Sequence, residues 1–397
     1  MKRRSFIKGL AGAAYVVAMP TIVRAQSQKI PFIHITPFSG ALAELGPDTE
    51  IGCKVAIEQL RKQRNLNFEY IRIDSESNPS VAVRKMQEAA SSSRARLFVG
   101  ANLSSEALAL GKEARNIGAI YVTSAGADEI TGKDCTKSMF RWAVPTAGAV
   151  DGTIKPLMKL LPNAKRWYAI TPKYVFGDAL LRNTERTLKA GGAELVGNSY
   201  HSLTEKEFSG YLVNAAAANP DVLVLHNFSA QGAACLRQAV SFGLKSKMKI
   251  VMVWSAGLDQ LLSLGPDNLE GVYVGAQYWH TRDNPTNRAF VAACAPHTKA
   301  PPNNNTAAGY AMTMAIAAGM TSDNVDIPQI IQRMEGKTID GVTGPETIRP
   351  FDHEITKSYF LLKCKPKASM ANEYDLADIV ETSSSYPAQS ESLCKFA

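Results

Sequence analysis

The sequence predicts an α/β protein built from two open, doubly wound parallel-sheet domains. Three observations carry this. At 397 residues the chain exceeds one ordinary compact domain. Short β-rich runs alternate with amphipathic helical runs, the pattern of parallel strands joined by crossover helices. The alternation then restarts after "FRWAVPTAGAV".

The elements follow in order. "KIPFIHI" reads as a buried strand. "DTEIGCKVAIEQLRKQ" reads as a helix with Ile51, Val55, Ile57 and Leu60 on its apolar side. "FEYIRID" is the next strand, and "SVAVRKMQEAASSS" the next helix, with Pro79 just ahead of it. "RLFVG" is a strand that ends in the turn Ala101-Asn102-Leu103, and a helix begins at Ser104-Ser105. A further strand closes at the turn Thr123–Asp128. In the second unit "GTIKPLMKLLP" is helical despite Pro156. "RWYAITP", "AELVGNSY", "DVLVLHN" and "KIVMVWS" are strands. "FGDALLRNTERTLKAGG", "EFSGYLVNAAAAN" and "AQGAACLRQAVSFGL" are the helices between them. The last part, with strand "GVYVGAQYW", helices "NPTNRAFVAACAPH" and "NTAAGYAMTMAIAAGM", and late strand "ITKSYFLLKCK", has too few elements for a third domain. Asn305 or Thr306 is expected to cap its second helix. The chain is therefore expected to cross between domains three times, around 144–146, near 270–278 and near 343–351. This gives a first lobe of 26–145 plus 272–345 and a second of 146–271 plus 346–397.

Residues 1–25 read as a signal peptide, with a basic start, an interrupted apolar run and Ala25 at the cleavage point. Arg3-Arg4 followed by Ser5, Phe6, Ile7 and Lys8 resembles a twin-arginine signal, so the expected location is the periplasm. The formal charge is +8 for the whole chain, and removing the five positive residues of this segment leaves +3. Nucleic-acid binding thereby loses its compositional support. No CxxC, HxxxH or HExxH spacing occurs, so neither metal nor cofactor is expected. With no GxxxxGK[ST], GxGxxG or GxSxG, no enzyme is expected.

In open parallel sheets, ligands sit at the carboxyl ends of strands, and two such sheets face each other across a cleft. Ser104 and Ser105 open a helix at such an end, where free N–H groups and the positive dipole end suit a carboxylate. Ser104 would serve equally as a plain helix N-cap.

Four segments occur in order: "GANLSSEALALGKEARNIGAIYVTSAGADEIT", "YVFGDALLRNTERTLKAGGAELV", "DVLVLHNFSAQGAACLRQAVSFGL" and "LEGVYVGAQYW". Together they resemble the type I periplasmic solute-binding proteins of branched-chain amino acid ABC transporters. The resemblance spans the mature chain and implies two lobes on a three-strand hinge, a small-molecule carboxylate as ligand, an inner-membrane permease as partner and a monomeric receptor. It implies ligand contacts from Ser104, from Ala125 and Ala127, and from the aromatics Phe176 and Phe228; Asn102 and Ser105 are candidates from their place at the same turn and helix start. Tyr174, Trp254 and Ser255 fall beside these positions. Tyr278 and Trp279 are either further ring surface or core. The amino acid binders place a Glu after the strand matching "KIVMVW"; here Trp254-Ser255-Ala256 stands, and both lid aromatics are Phe. An aromatic or apolar acid is therefore expected rather than an amino acid, with Asp128 or Glu44 as the substitutes that would restore an ammonium site. A branched-chain amino acid, or a sensing role beside a membrane receptor, is the alternative.

Six cysteines allow 15 pairings. Cys53, Cys235 and Cys294 fall in helical patterns, whereas Cys135 and Cys394 lie in polar, loop-like sequence, and the resemblance implies cysteines at those two places. Their pairing is expected, with Cys364 the rival partner for Cys394.

Overall fold

The structure, a computed structural model, describes residues 29–40 and 42–396. The signal-peptide reading lies outside them. The first lobe begins with β1 (Ile30–Thr36), α1 (Gly46–Arg64), β2 (Phe68–Asp74), α2 (Pro79–Ser92), β3 (Leu97–Gly100), α3 (Ser104–Asn116), β4 (Ile120–Thr123) and β5 (Met139–Arg141). The chain then builds α4 (Thr146–Leu160), β6 (Arg166–Pro172), α5 (Val175–Ala190), β7 (Glu194–His201), α6 (Ser209–Ala217), β8 (Val222–Leu225), α7 (Ser229–Ser241), β9 (Lys249–Met252), α8 (Leu258–Leu264), α9 (Pro266–Leu269) and β10 (Tyr273–Ala276). It returns through α10 (Pro285–Cys294), α11 (Asn304–Gly319), α12 (Ile327–Met334), β11 (Thr338–Gly341), β12 (Gly344–Ile348) and β13 (Ile355–Thr356). It ends with β14 (Tyr359–Cys364) and β15 (Ala377–Ser383).

The first sheet has the order β2-β1-β3-β4-β5 and is parallel throughout. The second has the order β15-β14-β10-β9-β8-β6-β7, with β14 and β15 antiparallel at one end. The central strands β3, β4, β8 and β10 are buried on both faces, which is why they read as apolar runs, whereas the edge strands β2, β7 and β15 keep exposed positions. In the first lobe Phe32, Val99 and Val122 face α1 and α11, while Ile33, Phe98 and Tyr121 face α2 and α3. Helices α1 and α11 approach closely because glycines meet there. A Cβ on Gly52 would lie 1.9 Å from the Thr306 carbonyl, and one on Gly309 2.1 Å from that of Thr49. In the second lobe Ile170, Leu223 and Val274 pack on one face and Trp167, Val222 and Val224 on the other. Strand order reverses between β1 and β3 in one sheet and between β6 and β8 in the other. Those two switch points open the crevices where such folds hold ligands.

The crossings differ from the sequence reading. At the first, β5 of the first sheet ends at Arg141 and α4 begins at Thr146. The second comes after β10, because Tyr273–Ala276 pairs with β9 and β14 in the second sheet. The crossing thus lies inside the 270–278 stretch, a few residues after the boundary drawn at 272. The third comes after β13, because Ile348 and Ile355 stay in the first lobe's core and β12 pairs with β13. The boundary at 345 was too early, and the late strand is split there at Lys357-Ser358. A fourth passage was not expected. Beyond β15 the chain runs back to the first lobe, where Cys394 is disulfide-bonded to Cys135. Cys364 is free and buried. The cap of α11 is Asn303, whose side chain accepts from the N–H groups of Asn305 and Thr306, and not Asn305 or Thr306 itself.

Buried polar groups lock the crossings together. The Gln277 side chain accepts from Val144 N at 2.9 Å and donates to Val144 O at 3.2 Å. The Lys357 ammonium donates to Gln277 O at 2.6 Å and lies 4.2 Å from the Trp142 ring centroid. Burial holds that ammonium down at about 7, with Glu346 and Glu354 opposing.

Candidate ligand-binding cleft

The two switch points face each other across a pocket. The first lobe supplies Leu45, Asn102, Ser124 and Gly126, and the second Tyr174, Phe176, Phe228, Trp254, Ser255 and Ala256. Trp142, Ala143 and Gln277 come from the crossings, and Asn304, Asn305 and Ala308 from α11. The lobes are closed on each other, leaving a cavity of about 50 Å³.

The walls from the second lobe are aromatic. The Phe176 ring meets Phe228 edge-on at 5.5 Å, Trp254 edge-on at 5.0 Å, and Tyr174 at 5.9 Å. Tilted and edge-to-face packing of this kind holds rings in place while leaving faces free. Phe176 and Phe228 arrive there because each follows the carboxyl end of a strand, β6 or β8. Phe228 is the residue just before α7, and Ser229 after it takes a left-handed φ of 52°. Ala101, just after β3, has φ 50°. Both turns beside the cleft thus hold a non-glycine residue in a sparsely populated conformation, a cost of about 1–2 kcal/mol that packing must offset.

The polar part of the pocket is small and uncharged. Ser124 Oγ donates to Asn102 Oδ1 at 2.6 Å. This hydrogen bond turns the amide nitrogen of Asn102 away, and that nitrogen is buried without a partner among the described residues. Ser255 Oγ accepts from Gly257 N at 2.9 Å. Asn304 is engaged with Tyr278 N and Ser255 O. Among the described residues, no Asp, Glu, Lys, Arg or His lines the pocket.

The structure thus gathers Asn102, Tyr174, Phe176, Phe228, Trp254 and Ser255 on one pocket. Ser104 lies one layer behind, buried, and its Oγ accepts from Ala127 N at 3.2 Å. It braces one turn against the other. It does not cap the helix, since Leu103 holds that position. Ala125 and Ala127 are buried beside it, and Ser105 is half-buried outside the lining. Asp128 is diverted elsewhere. Its carboxylate accepts from Thr146 Oγ1 at 2.7 Å, Ala147 N at 3.0 Å and Asn183 Nδ2 at 2.6 Å, with Arg182 at 3.6 Å. Those donors come from the second lobe, so Asp128 ties the lobes at the rim. Glu44 accepts from Ser229 Oγ at 2.9 Å at the opposite rim. Tyr278 and Trp279 are core: the former donates to Asn287 Oδ1 at 2.7 Å, and the latter packs in the second lobe. Sequence reasoning missed Leu45, Trp142, Gln277, Asn304 and Asn305. The crossing residues carried one available signal, since a Trp and a Gln beside expected hinge positions stand next to any interlobe cleft.

Among the described residues no group of His, Cys, Asp and Glu could hold a metal, and no helix is long and apolar enough to cross a membrane. A family described as periplasmic binding protein matches residues 29–369. The leucine-specific-binding protein of Salmonella typhimurium is 23% identical over 340 residues, covering 84% of this chain and 90% of that one. The solved amino acid ABC transporter substrate-binding protein of Pseudomonas fluorescens Pf-5 is 47% identical, covers 93% of this chain and 100% of its own, and superposes with a TM-score of 0.89. A solute-binding protein of an R. palustris ABC transporter, solved in complex with benzoate, is 20% identical with a TM-score of 0.82, covering 93% of this chain and 100% of that one. These proteins are solute-binding receptors rather than enzymes, which capture small molecules for membrane permeases. With its two facing, mainly parallel sheets, its interlobe pocket and a match over most of its length, this chain belongs to the periplasmic binding protein family.

Proposed function

We propose that this protein is the exported receptor of an ABC importer and captures a small carboxylate with an aromatic or apolar body. The observation that carries this reading is the pocket's composition: an aromatic box without a charged residue, and one buried amide donor, Asn102 Nδ2, left unpaired. An unsatisfied buried donor costs about 1–3 kcal/mol, which a ligand acceptor relieves. An ammonium group would find no lining carboxylate, and burying it unpaired costs several kcal/mol. The R. palustris benzoate complex supports the reading in so far as the same architecture accommodates such an acid. An amino acid is the rival cargo, the one named for the Pseudomonas fluorescens relative; it would have to reach past the pocket to the rim carboxylates. Ser104 acts through Ala127 and positions the turn. The receptor works as a monomer, leaves the cytoplasm by the twin-arginine route and delivers its ligand to an inner-membrane permease.

The test is a thermal-shift screen of the mature protein followed by calorimetry with benzoate, 4-hydroxybenzoate, leucine, isoleucine and valine. The aromatic acids should bind, and Asn102→Ala should weaken them by about ten- to a hundredfold, the loss of a hydrogen bond to a charged group. Micromolar leucine binding with no response to either aromatic acid would overturn the reading.

A further inference from the structure

At one rim of the cleft, beside the pocket, two carboxylates from opposite lobes share one amide. Asp48 stands in the first turn of α1 and Asp259 in the first turn of α8. Asn303, the cap of α11, donates from the same Nδ2 to Asp48 Oδ2 at 2.7 Å and to Asp259 Oδ2. Asp48 and Asn303 belong to the first lobe and Asp259 to the second, so the three meet only when the cleft is shut. Glu44 adds a third carboxylate to the same recess, held by Ser229 of α7. The facing groups from α7 and α11, Ser229, Asn303 and Asn305, are neutral, and no Lys, Arg or His lines the recess among the described residues. The opposite rim is built differently: there Asp128 meets Asn183 and Arg182, so closure brings opposite charges together.

We propose that Asp48 and Asp259 form a proton-operated latch: the shut cleft holds a proton between the two carboxylates that the open cleft releases, so that acid favours closure and ligand retention. This rests on the family's opening and closing of the cleft and on no particular ligand.

The physical reason is like-charge crowding. Two carboxylates within reach of one amide repel, so one of them gives up its proton less readily than a carboxyl standing alone. Burial first, and then the charge of Asp259, push the Asp48 carboxyl up to about 6, with the Asn303 amide opposing. Opening withdraws Asp259 and exposes Asp48, which returns toward the ordinary carboxylate range. Closure therefore takes up protons below that value, and its equilibrium constant rises as pH falls, by at most about tenfold per pH unit. Closed-state protonation at about 6 gives about a fourfold rise between about pH 7.5 and 5.5; Asp48 is half-buried and Asp259 exposed at the rim, so solvent screening lowers this to about two- to fourfold.

The experiment uses the mature protein, Asp259→Asn, and Asp48→Asn as the same change made from the other lobe. Small-angle scattering without ligand reads closure directly. The wild type should have a smaller radius of gyration at about pH 5.5 than at about pH 7.5, whereas both variants should be compact at both values. In parallel, 4-hydroxybenzoate should bind the wild type about two- to fourfold more tightly at the lower pH and bind Asp259→Asn tightly at both. A wild-type radius that does not change with pH, or an Asp259→Asn protein that keeps the wild-type pH response, overturns the latch. Failure of 4-hydroxybenzoate to bind would strike the proposed ligand class and leave the scattering result to decide the latch.

Discussion

Gly126→Ala isolates closure from folding. Gly126 lies in the first lobe's second turn. A Cβ built on it would sit 2.5 Å from Trp254 Cη2, 2.7 Å from Phe176 Cε2 and 2.8 Å from Trp254 Cζ3. These three nearest atoms all belong to the second lobe, so the clash exists only when the lobes meet. The rings have little room to yield, since Phe176 is wedged edge-on between Phe228 and Trp254. Overpacking a well-fitted contact costs about 1–3 kcal/mol. Because affinity includes the closure equilibrium, ligand binding should weaken by about five- to 150-fold. Calorimetry with the acid found by screening gives the affinity, and chemical denaturation without ligand gives the stability of the open protein, which should match the wild type. An affinity within about twofold of wild type would refute the claim that these rings press on Gly126 during capture. So would a loss of ligand-free stability equal to the loss of binding, which would place the contact within the folded lobes.

Two further outcomes follow from buried groups. Cys135 and Cys394, 259 residues apart in sequence, close most of the chain into one loop. Replacing both with Ser should lower stability by about 2–4 kcal/mol, and peptide mapping without reduction should find this pair linked and Cys53, Cys235, Cys294 and Cys364 free. Glu106, fully buried in the first turn of α3, has its carboxyl pushed up to about 7 by burial. The native state then binds a proton that the unfolded chain has released, so this residue's contribution to stability falls as pH rises from the ordinary carboxylate value toward 7. Glu106→Gln should match the wild type near pH 4.5 and exceed it by up to about 3 kcal/mol near pH 8, as urea denaturation at the two values would show.

The alternation of strand and helix determined the two main α/β sheets from the sequence alone, though not the small antiparallel sheet β11-β12-β13. Each run buries both faces of a strand or one face of a helix, and that requirement is written into local residue pattern. The aromatic lid was legible for a related reason: Phe176 and Phe228 follow strands directly, and strand ends in such sheets face the cleft. What local pattern does not carry is the partner of a polar side chain. Asp128 reads as a free acid at a turn, yet Asn183, 55 residues further on in α5, and the start of α4 occupy its oxygens. Ser104 reads as a helix cap or a ligand contact, yet Ala127 N engages it from the neighbouring turn. Trp142, Gln277 and Asn304 come from three separate passages of chain, and only their convergence puts them on one wall. The crossing points moved for the same reason. Whether β10 or β13 belongs to one lobe or the other depends on which strand lies beside it, and pairing between distant segments is decided by tertiary packing.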